Sequence, residues 1–312
     1  MHKAILKIGG RFMKKENLKR KLRIMRRKKW PIALIVILIV AIVAVPVVSS
    51  IISTKKRLEP KTPLPLSDVL TLEKDRARIT LIAHRGYSAQ APENTLPAIK
   101  KAAEYGFDYV EIDIRQTKDG VWVLMHDENI KTVCDKKGKV SSYTYYDLAA
   151  CNVVRGANAE EYENLKVPTL EQALKCCLEY NIIPMIEIKD YTSDGINKLL
   201  ELIEKYGFTD SCSVISFERE ALELVREQNR DIKIFKLVSK LTDKEMQKCL
   251  EADNMGVSFN GNEKSNTPEK IEELQANGIE LACWTIDEAD TMMKWVNEGI
   301  TTFVTNRIYH HN

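Results

Sequence analysis

Histidine is scarce in this chain, with five in 312 residues, and three of these, His2, His310 and His311, sit at its extreme ends. Acid–base chemistry near neutral pH inside the body therefore falls to His84 and His126. Cysteine never occurs at metal-ligand spacing: Cys134, Cys151, Cys176, Cys177, Cys212, Cys249 and Cys283 make an odd set of seven, which argues against a thiolate metal centre. Most of them read as small core residues, with a bridge between Cys134 and Cys151 as a weaker alternative. Acidic residues are almost missing from residues 1–29, where 13 Lys/Arg face the single acid Glu16. Taking that arm's +12 from the chain's +3 leaves about −9 on the rest. An acidic body would repel phosphate backbones, so no nucleic-acid partner is expected.

One stretch contains no charge at all. After Trp30, residues 31–48 are 18 residues without a charged or strongly polar side chain, and the run continues to Ile52. That is long enough to span a bilayer. The cationic residues before it place the N-terminus in the cytoplasm and the body outside, as a single-pass cell-membrane protein. A cleaved signal peptide is the competing reading, but its apolar core is normally shorter and ends at small residues. The expected organisation is a basic arm (1–29), a transmembrane helix (30–52), a charged, proline-containing linker (53–77) and one globular domain (78–312).

Within that domain, apolar runs at 79–83, 109–114, 121–125, 183–188, 213–217, 232–237, 256–259, 281–285 and 303–305 read as strands. Helical patterns at 95–105, 170–179, 195–206, 219–228, 243–251, 268–276 and 287–297 alternate with most of them, which predicts a parallel sheet wrapped by helices. The turn at 117–120 is too short for a parallel crossover, so 121–125 should fold back antiparallel beside 109–114. Eight crossover-connected strands remain, and a (β/α)₈ TIM barrel is the economical architecture.

The active site of such a barrel gathers at the carboxyl ends of its strands. His84, Glu111, Asp113, Glu187 and Lys189 all fall there. Glu111 and Asp113 are two apart and so point the same way from a strand, with Glu187 late in another. Three facing carboxylates repel unless protonated or bridged by a cation, and hard oxygen ligands suit Mg²⁺ or Ca²⁺. Arg85 offers a planar fork suited to phosphate oxygens, and Gly86 permits close backbone approach to a ligand. Asn94 or Thr95 can cap the helix that follows. Asp127 can orient the His126 imidazole or merely begin a turn.

The series His84-Arg85-Gly86, Pro92-Glu93-Asn94-Thr95, Glu111-Ile112-Asp113, Thr117-Lys118-Asp119-Gly120, His126-Asp127, Val167-Pro168-Thr169-Leu170-Glu171 and Glu187-Ile188-Lys189 resembles the glycerophosphodiester phosphodiesterase family over about residues 79–307. The resemblance implies a TIM barrel that holds a divalent metal through Glu111, Asp113 and Glu187, with His84 and His126 as general acid and base in either order. It further implies that Arg85 and Lys189 contact the phosphate, that Trp284 lines the pocket, and that residues 129–165 form an insertion capping the site. The implied reaction hydrolyses a glycerophosphodiester to sn-glycerol 3-phosphate and an alcohol. A lysophospholipid-type substrate also fits an outward-facing membrane enzyme.

The family often carries Asp where this chain has Asn306. Barrel phospholipases of the phosphatidylinositol-specific phospholipase C or lysophospholipase D type also pair two histidines, but Glu187-Ile188-Lys189 and the Pro92–Thr95 motif favour the diesterase. A catalytically inactive binding module would have no need of a complete acid, base and metal set.

Overall fold

The computed structural model describes residue 44 and residues 47–310, residue 253 excepted. The chain divides into two compact units, Met1–Arg57 and Leu58–Asn312. In the first, the described residues from 47 onward are helical, and Val47, Val48, Ile51 and Ile52 are 52–62% exposed. The transmembrane helix expected at 30–52 lies for the most part outside the described residues. Among the described residues no helix is long and apolar enough to cross a membrane.

The second unit contains strands β1 (Leu64–Pro65), β2 (Thr80–Ala83), β3 (Tyr109–Gln116), β4 (Trp122–Leu124), β5 (Ile183–Ile188), β6 (Ser213–Ser216), β7 (Lys233–Val238), β8 (Gly256–Asn260), β9 (Leu281–Trp284), β10 (Thr302–Thr305) and β11 (Ile308–Tyr309). Eight of them form one parallel sheet in the order β2-β10-β9-β8-β7-β6-β5-β3, and β2 also pairs with β3. That last pairing closes the barrel. β4 runs antiparallel to β3, with Ile114 opposite Leu124 and Gln116 opposite Trp122, as the short turn requires.

Alternation along the strands separates two cores. On β3, Val110, Ile112 and Ile114 join the large cluster between sheet and helices. Inside the barrel, Ile82, Met185, Ile215, Phe235, Leu237 and Val304 form a separate apolar plug. The register sets Glu111 beside Met185 of the plug and Asp113 beside Glu187, so Glu111 is level with the plug's outer edge and Asp113 and Glu187 sit one layer beyond it, toward the carboxyl end. Helix starts follow the sequence: Thr169 and Gln172 make a reciprocal capping box at Leu170–Glu179, and Thr192 caps Ser193–Lys205.

Two features differ from the sequence reading. The segment expected as linker is structured from residue 58 on: β1 pairs with β11, and Leu66, Val69 and Leu70 are buried in the main core. Its apolar residues are too few to give a periodic signal, yet three suffice to dock it. The close approach at Gly86 is to protein: with φ at +77°, its position leaves no room for a Cβ, which would lie 2.5 Å from that of Ala98. Residues 129–165 gather their own small core from Ile130, Val133, Cys134, Val140, Leu148, Cys151 and Val153, packed on Val123 and Met125 of the hairpin.

Gly207 has a similar φ of +71° with nothing within 4 Å of an added Cβ, so Gly207→Ala should cost about 1 kcal/mol of backbone strain. Gly86→Ala adds a clash with a helix and should cost more than about 3 kcal/mol by urea unfolding; equal costs would show that packing at Ala98 is not the constraint. All seven cysteines are buried as free thiols. Denatured, unreduced protein should therefore titrate seven thiols, and a count of five would reveal a bridge.

Candidate active site

Glu111, Asp113 and Glu187 each offer an oxygen lying within 4.8 Å of the others, and all three side chains are buried. Three carboxylates so placed need compensation. Lys189 supplies part of it, its Nζ 2.5 Å from Glu187 Oε1 and 3.0 Å from Asp113 Oδ1. Arg85 supplies the rest: its backbone N–H donates to Glu111 Oε2 at 2.7 Å, its Nε lies 3.4 Å from Asp113 Oδ2, and its Nη1 donates to both oxygens of Glu93 at 3.2 Å. Asn94 clamps Asp113 from both sides, its Nδ2 donating to Oδ2 at 2.7 Å while its Oδ1 accepts from the Asp113 N–H at 2.9 Å.

The balance is incomplete. Four buried carboxylates, counting Glu93, face two cations, the buried Arg85 and the partly buried Lys189, and leave two negative charges if all are ionised. Among the described residues Glu111 Oε1 is buried without a hydrogen-bond partner, and Asp113 Oδ1 has only the charge contact with Lys189. Unsatisfied carboxylate oxygens beside an uncompensated charge of two fit a divalent cation with oxygen ligands.

The protonation equilibria register the same deficit. Burial, reinforced by Asp113 and Glu187, holds Glu111 well above the ordinary carboxylate range. Burial and Asp113 push Glu187 up to about 7. Burial acts on Asp113 too, but Lys189, His126, Arg85 and Asn94 outweigh it and hold that group well below its usual range. The cluster thus keeps one firm anion and two reluctant ones.

His84 follows β2, where its N–H donates to Thr305 O at 2.9 Å. His126 follows β4, and the Met125 N–H donates to Asp113 O at 2.9 Å, which draws the hairpin's end to the cluster. The imidazoles have unlike orienting partners. His84 Nδ1 is 2.8 Å from Asn306 Oδ1, whereas His126 Nδ1 is 2.7 Å from Asp127 Oδ1. Burial, followed by the charge of Arg85, lowers the His84 pKa to about 3. Burial also lowers that of His126, with Asp113 and Asp127 pulling the other way. Arg115 steadies this hairpin, donating through Nε to His126 O at 3.0 Å and through Nη1 to Asp190 at 2.7 Å.

The structure thus brings His84, Arg85, Glu111, Asp113, His126, Glu187 and Lys189 to one end of the barrel. Trp284 closes β9 at the same end, its Nε1 donating to Ser258 O at 2.9 Å and its ring edge-on to Phe217 at 5.7 Å. Val133 and Val153 of the insertion share a small crevice with His126, Glu93 and Asn94. Thr95 is the helix cap, so Asn94, read as an alternative cap, is freed for Asp113. Its left-handed φ of +57° turns the amide inward. Sequence reasoning left Glu93 and Asp287 without a role; both act through partners that no local pattern reveals.

A sequence profile of the glycerophosphoryl diester phosphodiesterase family matches residues 84–310. The chain belongs to that family. This diesterase is 34% identical to human glycerophosphodiester phosphodiesterase 1 over 172 residues, which covers 54% of this chain and 52% of the human protein. It is 29% identical over 232 residues to a glycerophosphodiester phosphodiesterase of Caldanaerobacter subterraneus, covering 72% of this chain and 93% of the relative. Among solved structures, its fold matches an Oleispira antarctica phosphodiesterase in complex with the product sn-glycerol 3-phosphate at a TM-score of 0.67 and 23% identity, over 73% of this chain and 92% of that one. A glycerophosphodiester phosphodiesterase from Thermotoga maritima matches at a TM-score of 0.59 and 25% identity, over 73% and 94% of the two chains. The enzyme is a phosphoric diester hydrolase of glycerophosphodiesters.

Glu187 gives a test of the metal site by stability alone. A carboxyl raised to about 7 binds more protons folded than unfolded above its ordinary range of about 4.5, so its contribution to stability falls as pH rises through that window. Glu187→Gln should raise the stability of chelated protein at pH 8 and cut the stabilisation that Mg²⁺ or Ca²⁺ adds, both read by urea unfolding. Equal cation stabilisation of variant and wild type would remove Glu187 from the ligand set.

Proposed function

We propose that the enzyme cleaves glycerophosphodiesters to sn-glycerol 3-phosphate and an alcohol with His84 as general base and His126 as general acid, over a divalent cation held by Glu111, Asp113 and Glu187. The observation that carries the assignment is the unlike pair of imidazole partners. Asn306 presents an amide, which aligns His84 without stabilising a positive ring. Asp127 presents a carboxylate, which favours the imidazolium that a general acid must start from.

In this reading His84 Nε2 takes the proton from the attacking hydroxyl, whether of water or of the glycerol 2-position. The phosphorus–oxygen bond to the alcohol breaks as His126 passes its proton to that oxygen. If the 2-hydroxyl attacks, water then opens the cyclic phosphate with the two histidines exchanging roles. Arg85 and Lys189 supply positive charge beside the phosphoryl oxygens. A bound Mg²⁺ or Ca²⁺ would neutralise the phosphate and acidify the attacking hydroxyl. Trp284 and Phe217 offer an apolar wall for the substrate's carbon skeleton, which also suits lysophospholipid-type diesters.

The anchor belongs to the same proposal. The uncharged run at 31–48 after 13 cationic residues supports a single-pass helix with the catalytic domain outside the cell membrane, and the exposed Val47, Val48, Ile51 and Ile52 extend its apolar surface.

Metal-replete full-length protein should release glycerol 3-phosphate from glycerophosphocholine or glycerophosphoethanolamine, and His84→Ala or His126→Ala should lower kcat by about 10²–10⁴-fold. Undiminished turnover in either variant would refute the acid–base pair, and choline phosphate as product would point to a phospholipase C-type cleavage instead. Protease added to intact cells should remove the domain; complete protection would refute the outward topology.

A further inference from the structure

We infer that Lys61, which lies outside the barrel, is a positioning residue for His84, acting through Asp287 and Asn306. The inference rests on the proposed role of His84 in catalysis and goes beyond it, to the group that holds the imidazole in register.

The contacts form an unbroken series. Lys61 Nζ pairs with Asp287 Oδ2. The same carboxylate oxygen accepts from Asn306 Nδ2 at 2.8 Å, while Oδ1 accepts from the Asn306 N–H at 2.8 Å and from Thr305 Oγ1 at 3.3 Å. Asn306 Oδ1 faces His84 Nδ1 at 2.8 Å and accepts from Ser88 Oγ at 2.9 Å.

The chemistry of the series orients the amide without ambiguity. A carboxylate only accepts, so the amide nitrogen must face Asp287 and the amide oxygen must face His84. That oxygen also only accepts, so His84 carries its proton on Nδ1 and turns the Nε2 lone pair to the reaction. A free Asn side chain could flip and offer its NH₂ to Nδ1, which would move the proton to Nε2 and disable the base. Asp287 prevents the flip.

Asp287 in turn needs a cation. Burial acts to raise its pKa, but Lys61 and Asn306 outweigh it and hold it below the ordinary range. The group that faces His84 is an amide, and the carboxylate of Asp287 stands one hydrogen bond further away, neutralised by Lys61. His84 thus receives alignment without a net negative charge beside it, in keeping with a base rather than an acid. Lys61 lies four residues past Arg57, the last residue of the first compact unit, so the entering segment reaches into catalysis from 226 positions before Asp287.

Three full-length proteins test the inference against glycerophosphocholine at saturating cation. Lys61→Met should lower kcat about tenfold, the scale on which outer partners of oriented ligands act, with KM changed less than about twofold. Lys61→Arg should restore most of the loss. Imidazole ¹⁵N spectra should show His84 moving from the Nδ1–H form toward the Nε2–H form in Lys61→Met. A Lys61→Met enzyme with unchanged kcat and unchanged His84 spectrum, or a loss that Lys61→Arg does not repair, would overturn the inference. His84→Ala, measured alongside, separates the two levels: if it stays active, the catalytic reading fails first.

Discussion

Everything at the mouth of this barrel is arranged around carboxylates that burial makes costly. Glu111, Asp113 and Glu187 share one small volume, and each of their neighbours reduces the cost in a different way. Lys189 and Arg85 bring charge; the Arg85 N–H and the Asn94 amide bring hydrogen bonds; the apolar plug below denies the site water from beneath. With all four carboxylates ionised the compensation stops two charges short, and among the described residues an oxygen of Glu111 has no hydrogen-bond partner. A cluster stabilised only partly in this way has the charge and the oxygen ligands that could hold a divalent cation. The left-handed backbone of Arg85 and Asn94 has the same origin, since both residues must turn toward the carboxylates.

The histidines reach this centre by different routes and arrive with different electrostatics. His84 comes directly off a barrel strand and is tied across the neighbouring strands β2 and β10. His126 follows β4, a hairpin strand outside the eight of the barrel, folded back by the turn after Gln116 and steadied by Arg115 and Asp190. One ring is aligned by a neutral amide and the other by a carboxylate. The proposed division of labour between base and acid rests on these partners rather than on the rings themselves.

Sequence periodicity was enough for the barrel because each strand is a short apolar run, and two residue types at alternate positions on β3 already revealed which face held the chemistry. The antiparallel hairpin was readable for a geometric reason: four residues cannot make a crossover. What escaped were groups whose role depends on a distant partner. Asn94 looked like a helix cap because Asn commonly is one; only its juxtaposition with Asp113 shows otherwise. Lys61 lies in a stretch without periodicity and Asp287 at the edge of the helical pattern 287–297, two residues before the observed helix Ala289–Asn297, and their meeting depends on closure of the whole barrel. Leu66, Val69 and Leu70 were lost in a charged, proline-containing stretch that looked like linker.

The central claim is that the three carboxylates form a cation site already shaped by the fold. Its most direct test is anomalous diffraction from crystals of the enzyme grown with Mn²⁺. The account predicts one anomalous peak among the carboxylate oxygens of Glu111, Asp113 and Glu187, with Asn94 still clamped to Asp113. Mn²⁺ bound elsewhere, with Lys189 still closing an empty cluster, would contradict it.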